Sequence, residues 1–190
     1  MTRVSLLIVG ALTLALSPVI HGQLRPQLRP LVETSQASPA GAVRADTMHL
    51  TLVSSISEAE VTAGKSLSIS YNVTPKKLMH VYAPGKHDYQ VIGVKIDPQP
   101  WLRVQATKYP PSEIYHFKEL DEKVETYGKP FTLVQNIAIL ATPEAKKLLA
   151  ASPTVTISGR LEYQACDDRV CYAPTKVPVS FTLNVKEMQR

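Results

Sequence analysis

The sequence has 190 residues but only 8 glycines, and no glycine-rich run, so neither a phosphate-cradling loop nor a collagen-like repeat is present. Aromatic residues make up 6% and charged residues 19%, while the hydrophobic share is 44%. That share is ordinary for a globular chain with a buried core, and it excludes wholesale disorder and a polytopic membrane protein. Four methionines and five histidines are scattered, without the clusters expected of a copper carrier. The positive excess is formally +5 and dispersed through mixed segments such as HFKELDEK, a pattern that disfavours nucleic-acid binding. Helix signal is nearly lacking too, and no strand-helix-strand alternation occurs. Cysteine appears at two positions, Cys166 and Cys171. Two residues cannot supply the dense disulfide scaffold on which small secreted domains depend, so their role is local.

What is present begins with an export signal. Arg3 precedes an apolar run of about 13 residues, Val4 to Leu16, followed by Ser17, Pro18 and Gly22. The run is within the signal-peptide range and too short to cross ~30 Å of hydrocarbon. Residues 1–22 are therefore expected to be a cleaved signal peptide, with an uncleaved anchor as the alternative, and the remainder to be periplasmic or secreted. There a disulfide persists. Residues 23–46 carry the repeated unit QLRPQLRP and then a stretch rich in Ser, Ala, Pro and Thr, which predicts a flexible linker. The folded domain is expected over residues 47–190.

Short strands dominate that domain. SLSISYNV, Ser66 to Val73, alternates so that Leu67, Ile69, Tyr71 and Val73 share one face. Thr154 to Gln164 and Lys176 to Val185 alternate in the same way. Further strands are predicted at Leu50 to Ser54, Leu78 to Tyr82, Val91 to Ile96, Leu102 to Ala106, Val124 to Tyr127 and Phe131 to Leu140. One short helix is predicted over Pro143 to Ala150, with Thr142 as N-cap and Pro143 at the first helical position. Many short strands with turn-punctuated spacing predict an all-β fold, an immunoglobulin-like antiparallel β-sandwich. A barrel is the alternative.

Cys166 and Cys171 bracket Asp167, Asp168, Arg169 and Val170, between two predicted strands. A turn there brings two Cα atoms within disulfide range. Closing so short a loop removes little unfolded-state entropy, about 2 kcal/mol on the chain-entropy model, so such a bond is a weak staple and a reasonable redox site. A purely local loop clip is the competing reading.

The segment YQACDDRVCYAPTKVPV, Tyr163 to Val179, resembles the active-site hairpin of the N-terminal periplasmic domain of the DsbD-type thiol:disulfide interchange protein. That family pairs Tyr-Gln before the first cysteine with an aromatic and a proline after the second. LMHVYAPG, Leu78 to Gly85, and the segments SEIY and VETYGKPFTL are similar to family segments, so the resemblance spans most of Thr47 to Val185. It departs in two ways. Four residues separate the cysteines where the best-known members have five, and the transmembrane and thioredoxin-like domains fused to those members are expected to be separate proteins here.

The resemblance implies an immunoglobulin-like fold and thiol-disulfide exchange without a cofactor. Electrons would come from a thioredoxin-like or membrane electron-transfer donor and pass to periplasmic oxidoreductases, including those of cytochrome c biogenesis. By the same carry-over Cys171 is the attacking thiol and Cys166 its resolving partner. Asp167 and Asp168 would raise the thiol pKa values and Arg169 oppose them. A cap loop covering the cysteines is expected within Tyr109 to Lys123, with Tyr109 or Phe117 as the covering aromatic. Tyr82, Tyr163 and Tyr172 would line the site, with His80 nearby. A metal centre built from the two cysteines with His80 or His116 lacks a second ligand pair, and no metal is expected. No nucleic-acid partner is expected, and the domain is read as a monomer. The non-redox alternative is an immunoglobulin-like adhesion or binding module whose disulfide shapes a loop.

Overall fold

The alternating segments fold as strands whose apolar positions point one way. The computed structural model describes residues 36–37, 42–118 and 121–186; the expected signal peptide and most of the linker lie outside them. The strands are β1 (Gln36–Ala37), β2 (Ala42–Asp46), β3 (Leu50–Ile56), β4 (Glu60–Val61), β5 (Ser66–Pro75), β6 (His80–Tyr82) and β7 (Gly93–Ile96). They continue with β8 (Leu102–Lys108), β9 (Glu113–Phe117), β10 (Glu122–Tyr127), β11 (Phe131–Ile139), β12 (Thr154–Tyr163), β13 (Ala165–Cys166) and β14 (Thr175–Val185). Between β11 and β12 lies the helix α1 (Pro143–Ala150), capped by Thr142, whose hydroxyl accepts from the Ala145 amide at 3.2 Å.

Three sheets result. The first runs β1-β2-β3-β5-β11-β8, the second β4-β14-β12-β7, and the third β13-β6-β10-β9. Pairing is antiparallel throughout the named strands except between β4 and β14, which are parallel. The first two sheets share one core. Leu52, Ile69, Tyr71 and Leu133 of the first sheet and Ile157, Val179 and Phe181 of the second belong to a single buried cluster. Removing such side chains from water is worth about 1.5–3 kcal/mol each. The fold is all-β and immunoglobulin-like, as the strand pattern predicts.

Three segments differ from expectation. Ala42–Asp46, assigned to the linker, is a strand paired with β3, and it buries Val43 and Ala45. Leu78 and Met79, expected in a strand, form a turn instead, closed by the Met79 amide donating to the Lys76 carbonyl at 2.9 Å. Leu78 takes φ 67° there, a left-handed conformation unfavourable for a side chain of its size. The stretch expected to be a loop-like cap, Tyr109 to Lys123, contains β9 and the start of β10, paired as a hairpin from Glu113↔Thr126 to Phe117↔Glu122.

Candidate functional site

The third sheet carries its own small apolar cluster, formed by Tyr82, Val124 and Cys166 with Tyr89, Tyr115 and Phe117 packed against it. Cys166 ends β13 and is bonded to Cys171, with Cα atoms 4.1 Å apart. The two cysteines face each other as an antiparallel pair. Hydrogen bonds fall on either side of them, from the Asp167 amide to the Val170 carbonyl at 3.0 Å and from the Tyr172 amide to the Ala165 carbonyl at 2.9 Å. The cysteines therefore occupy a non-hydrogen-bonded position, where opposed side chains lie closest.

A two-residue hairpin tip, here Asp168 and Arg169, usually relies on residues with positive φ, and neither residue adopts one. The Asp167 side chain takes over. Its Oδ1 accepts from the amides of Arg169 and Val170, both at 2.8 Å, and its Oδ2 from the Tyr172 hydroxyl at 2.9 Å. These bonds, the Arg169 amide foremost, hold the Asp167 carboxyl below its ordinary range. Asp168 accepts from the Tyr115 hydroxyl at 2.7 Å, which ties the hairpin tip to β9.

The two sulfurs are not equivalent. Cys166 is fully buried and Cys171 is exposed. The Tyr82 hydroxyl lies 2.9 Å from the Cys166 Sγ and 3.3 Å from the Cys171 Sγ. Burial, reinforced by Tyr89 and Glu122, pushes the Tyr82 phenol well above its usual pKa, so it remains protonated and donates. Tyr89 stacks on Tyr82 with ring centroids 4.1 Å apart and donates to Glu122 Oε2 at 2.8 Å.

The sequence profile of the N-terminal region of thiol:disulfide interchange protein DsbD matches residues 51–182, more than half of the chain. The chain belongs to this family. The DsbD N-terminal match takes in every strand from β5 to β13, and with them both cysteines and Tyr82. Among solved structures, the chain is similar to the N-terminal periplasmic domain of ScsB from Proteus mirabilis at 12% identity and a TM-score of 0.46, covering 79% of this chain and 49% of that one. It thus spans about half the length of that relative. The GAE domain of GGA2p from Saccharomyces cerevisiae is similar at 8% identity and a TM-score of 0.40, covering 75% of this chain and 97% of that one. No curated protein sequence matches.

Within this DsbD-family site the structure gathers Cys166, Cys171, Asp167, Asp168, Tyr82 and Phe117, with Tyr172 at the hairpin's flank. Arg169 is exposed at the tip. Tyr109 is placed elsewhere, its hydroxyl against Gly93. Tyr163 is buried in the main core, its hydroxyl 2.9 Å from the Thr47 hydroxyl and 3.3 Å from His49 Nδ1. His116 bonds Asp121 at 2.9 Å. His80 stands directly opposite Cys166 in the β13–β6 register. Three contributors escape sequence reasoning: Tyr89, Tyr115 and Glu122. Tyr115 and Glu122 lay inside the stretch read as a cap, where strand alternation would have turned Tyr115 and Phe117 to one face; Tyr89 sits in a segment without periodicity.

Proposed function

We propose that the chain is an exported thiol-disulfide exchange domain, passing reducing equivalents from a thioredoxin-like or membrane electron-transfer donor to periplasmic oxidoreductases through Cys166 and Cys171. The asymmetry of the disulfide supports this reading most directly: one sulfur is exposed and its partner buried under Tyr82, Tyr115 and Phe117. A donor thiolate attacks the Cys171 Sγ; the Cys166–Cys171 bond breaks, and Cys166 leaves with the electron pair as a thiolate. Tyr82 is placed to donate to that leaving sulfur. A second donor thiolate then releases Cys171 from the mixed disulfide, so the donor dithiol is oxidised and this pair reduced. Cys171 attacks an acceptor disulfide in turn. As an accessible terminus of the exchange, Cys171 is the trapping residue and Cys166 the resolving one.

The test is a redox titration of the purified domain against a thioredoxin-like reductant, with Cys166→Ala assayed in parallel for mixed disulfides. The relay reading expects equilibration at a potential near that of thioredoxin-like proteins, and a Cys171-linked adduct in the variant. A bond inert to such reductants would leave the disulfide a loop clip in a binding module.

A further inference from the structure

Cys166 is fully buried, so neighbouring protein groups lie nearest to the proton it gains when the disulfide opens and loses when the bond re-forms. β6 places His80 across from it in the antiparallel register, on the same face of the sheet. His80 is 4% exposed, and its ring is held by Tyr115, stacked at 4.3 Å, with Phe117 at 5.5 Å and Tyr82 edge-on at 6.1 Å. Inside that cage the Nε2 atom has no hydrogen-bond partner. A buried ring nitrogen without a donor is costly, and the oxidised protein offers it none. Reduction puts a thiol on the residue directly opposite, Cys166.

We propose that His80 is the general base for Cys166 in the step that frees the partner from Cys171. This rests on the relay reading above. In that step the Cys166 proton passes to His80 Nε2, and the Cys166 sulfur attacks the Cys171 Sγ of the mixed disulfide. The Cys166–Cys171 bond forms, the bond between Cys171 and the partner sulfur breaks, and the partner leaves with the electron pair as a thiolate. The domain ends oxidised and the partner reduced; His80 then gives its proton to solvent.

The other groups facing His80 are poorer acceptors. Tyr82, on the same strand, is kept protonated by burial. Tyr115, on β9, donates to Asp168. Asp167 is already engaged by two amides and Tyr172, and both carboxylates act on His80 as favourable negative charge. Burial outweighs them and pushes the imidazole below its ordinary value, leaving it neutral and able to accept a proton near neutral pH.

The experiment follows release of thionitrobenzoate when the reduced protein reacts with its disulfide dimer. The first equivalent reports attack by Cys171 and the second reports resolution by Cys166. His80→Gln is expected to slow the second phase about a hundredfold while sparing the first. The second phase of the wild type should level off above the His80 pKa, which lies below 6.5, whereas that of the variant should go on rising with hydroxide concentration. An unchanged second phase with an unchanged pH profile overturns the proposal. Should the variant not fold, NMR titration of the His80 ring in the wild type decides: its midpoint must fall on reduction, because the neutral ring then accepts from the Cys166 thiol, and equal midpoints in the two redox states overturn it. Neither readout uses a thioredoxin-like partner, so failure of the relay reading registers separately.

Discussion

Tyr82 reaches both sulfurs with one hydroxyl, and its burial keeps that hydroxyl a donor. A hydrogen bond to a charged group contributes about 1.5–3 kcal/mol, and the leaving Cys166 thiolate becomes such a group only as the disulfide breaks. The bond therefore favours the transition state over the resting disulfide. Tyr82→Phe is expected to slow reduction of the domain by dithiothreitol roughly 10- to 100-fold, followed by acid quench and alkylation. An equal rate in the two proteins would remove Tyr82 from the chemistry. The cysteine pair and Tyr82 are readable in the sequence because they lie in compact motifs. The division of labour between the two aspartates is not. Both sit at the hairpin tip, and only coordinates show that Asp167 closes the turn while Asp168 is tied to Tyr115.

At the scale of elements, the buried sulfur is covered by a paired hairpin, β9–β10, which places Tyr115 and Phe117 on the cluster containing Cys166. Phe117→Ala should open that cover and raise the rate of reduction by a small thiol, whereas Tyr109→Ala, altering a ring against Gly93, should leave it unchanged. The reverse ranking, measured by the same quench, would assign the cover to the wrong segment. The strands with clear alternation, β5, β12 and β14, were legible because each buries one face in the large core. The β9 strand was not. It is an edge strand on a small cluster, with Ile114 exposed and charged neighbours, so its polarity reads as a surface loop. Sheet-surface electrostatics offer a second test. Lys95 on β7 and Arg160 on β12 hold the Glu162 carboxyl down to about 2 from an ordinary 4.5. A depressed acid contributes stability fully present above its unfolded value and lost as pH falls through the folded one. The melting temperature of the wild type should thus fall more steeply between those two values than that of Glu162→Gln. Parallel melting curves would show that the ion pairs contribute nothing.

For the whole molecule, stability and disulfide are housed in different places. The two large sheets close one continuous core, while the disulfide belongs to a separate cluster of three buried residues and their aromatic neighbours. The bond closes a loop between residues only five positions apart. Its entropic contribution is about 2 kcal/mol, against a core in which many side chains contribute a comparable amount apiece. A domain built this way can alternate between oxidised and reduced states without passing through unfolding, which a relay requires. Reduction is accordingly expected to lower the melting temperature by no more than about 10 °C, and to leave the transition cooperative. The comparison is made by calorimetry on the oxidised protein and on protein reduced and alkylated under native conditions, with Cys166→Ala/Cys171→Ala as a control for the alkyl groups. Loss of a cooperative transition on reduction, reproduced in the double variant, would mean that the hairpin supports the core, and that this disulfide is a structural bond.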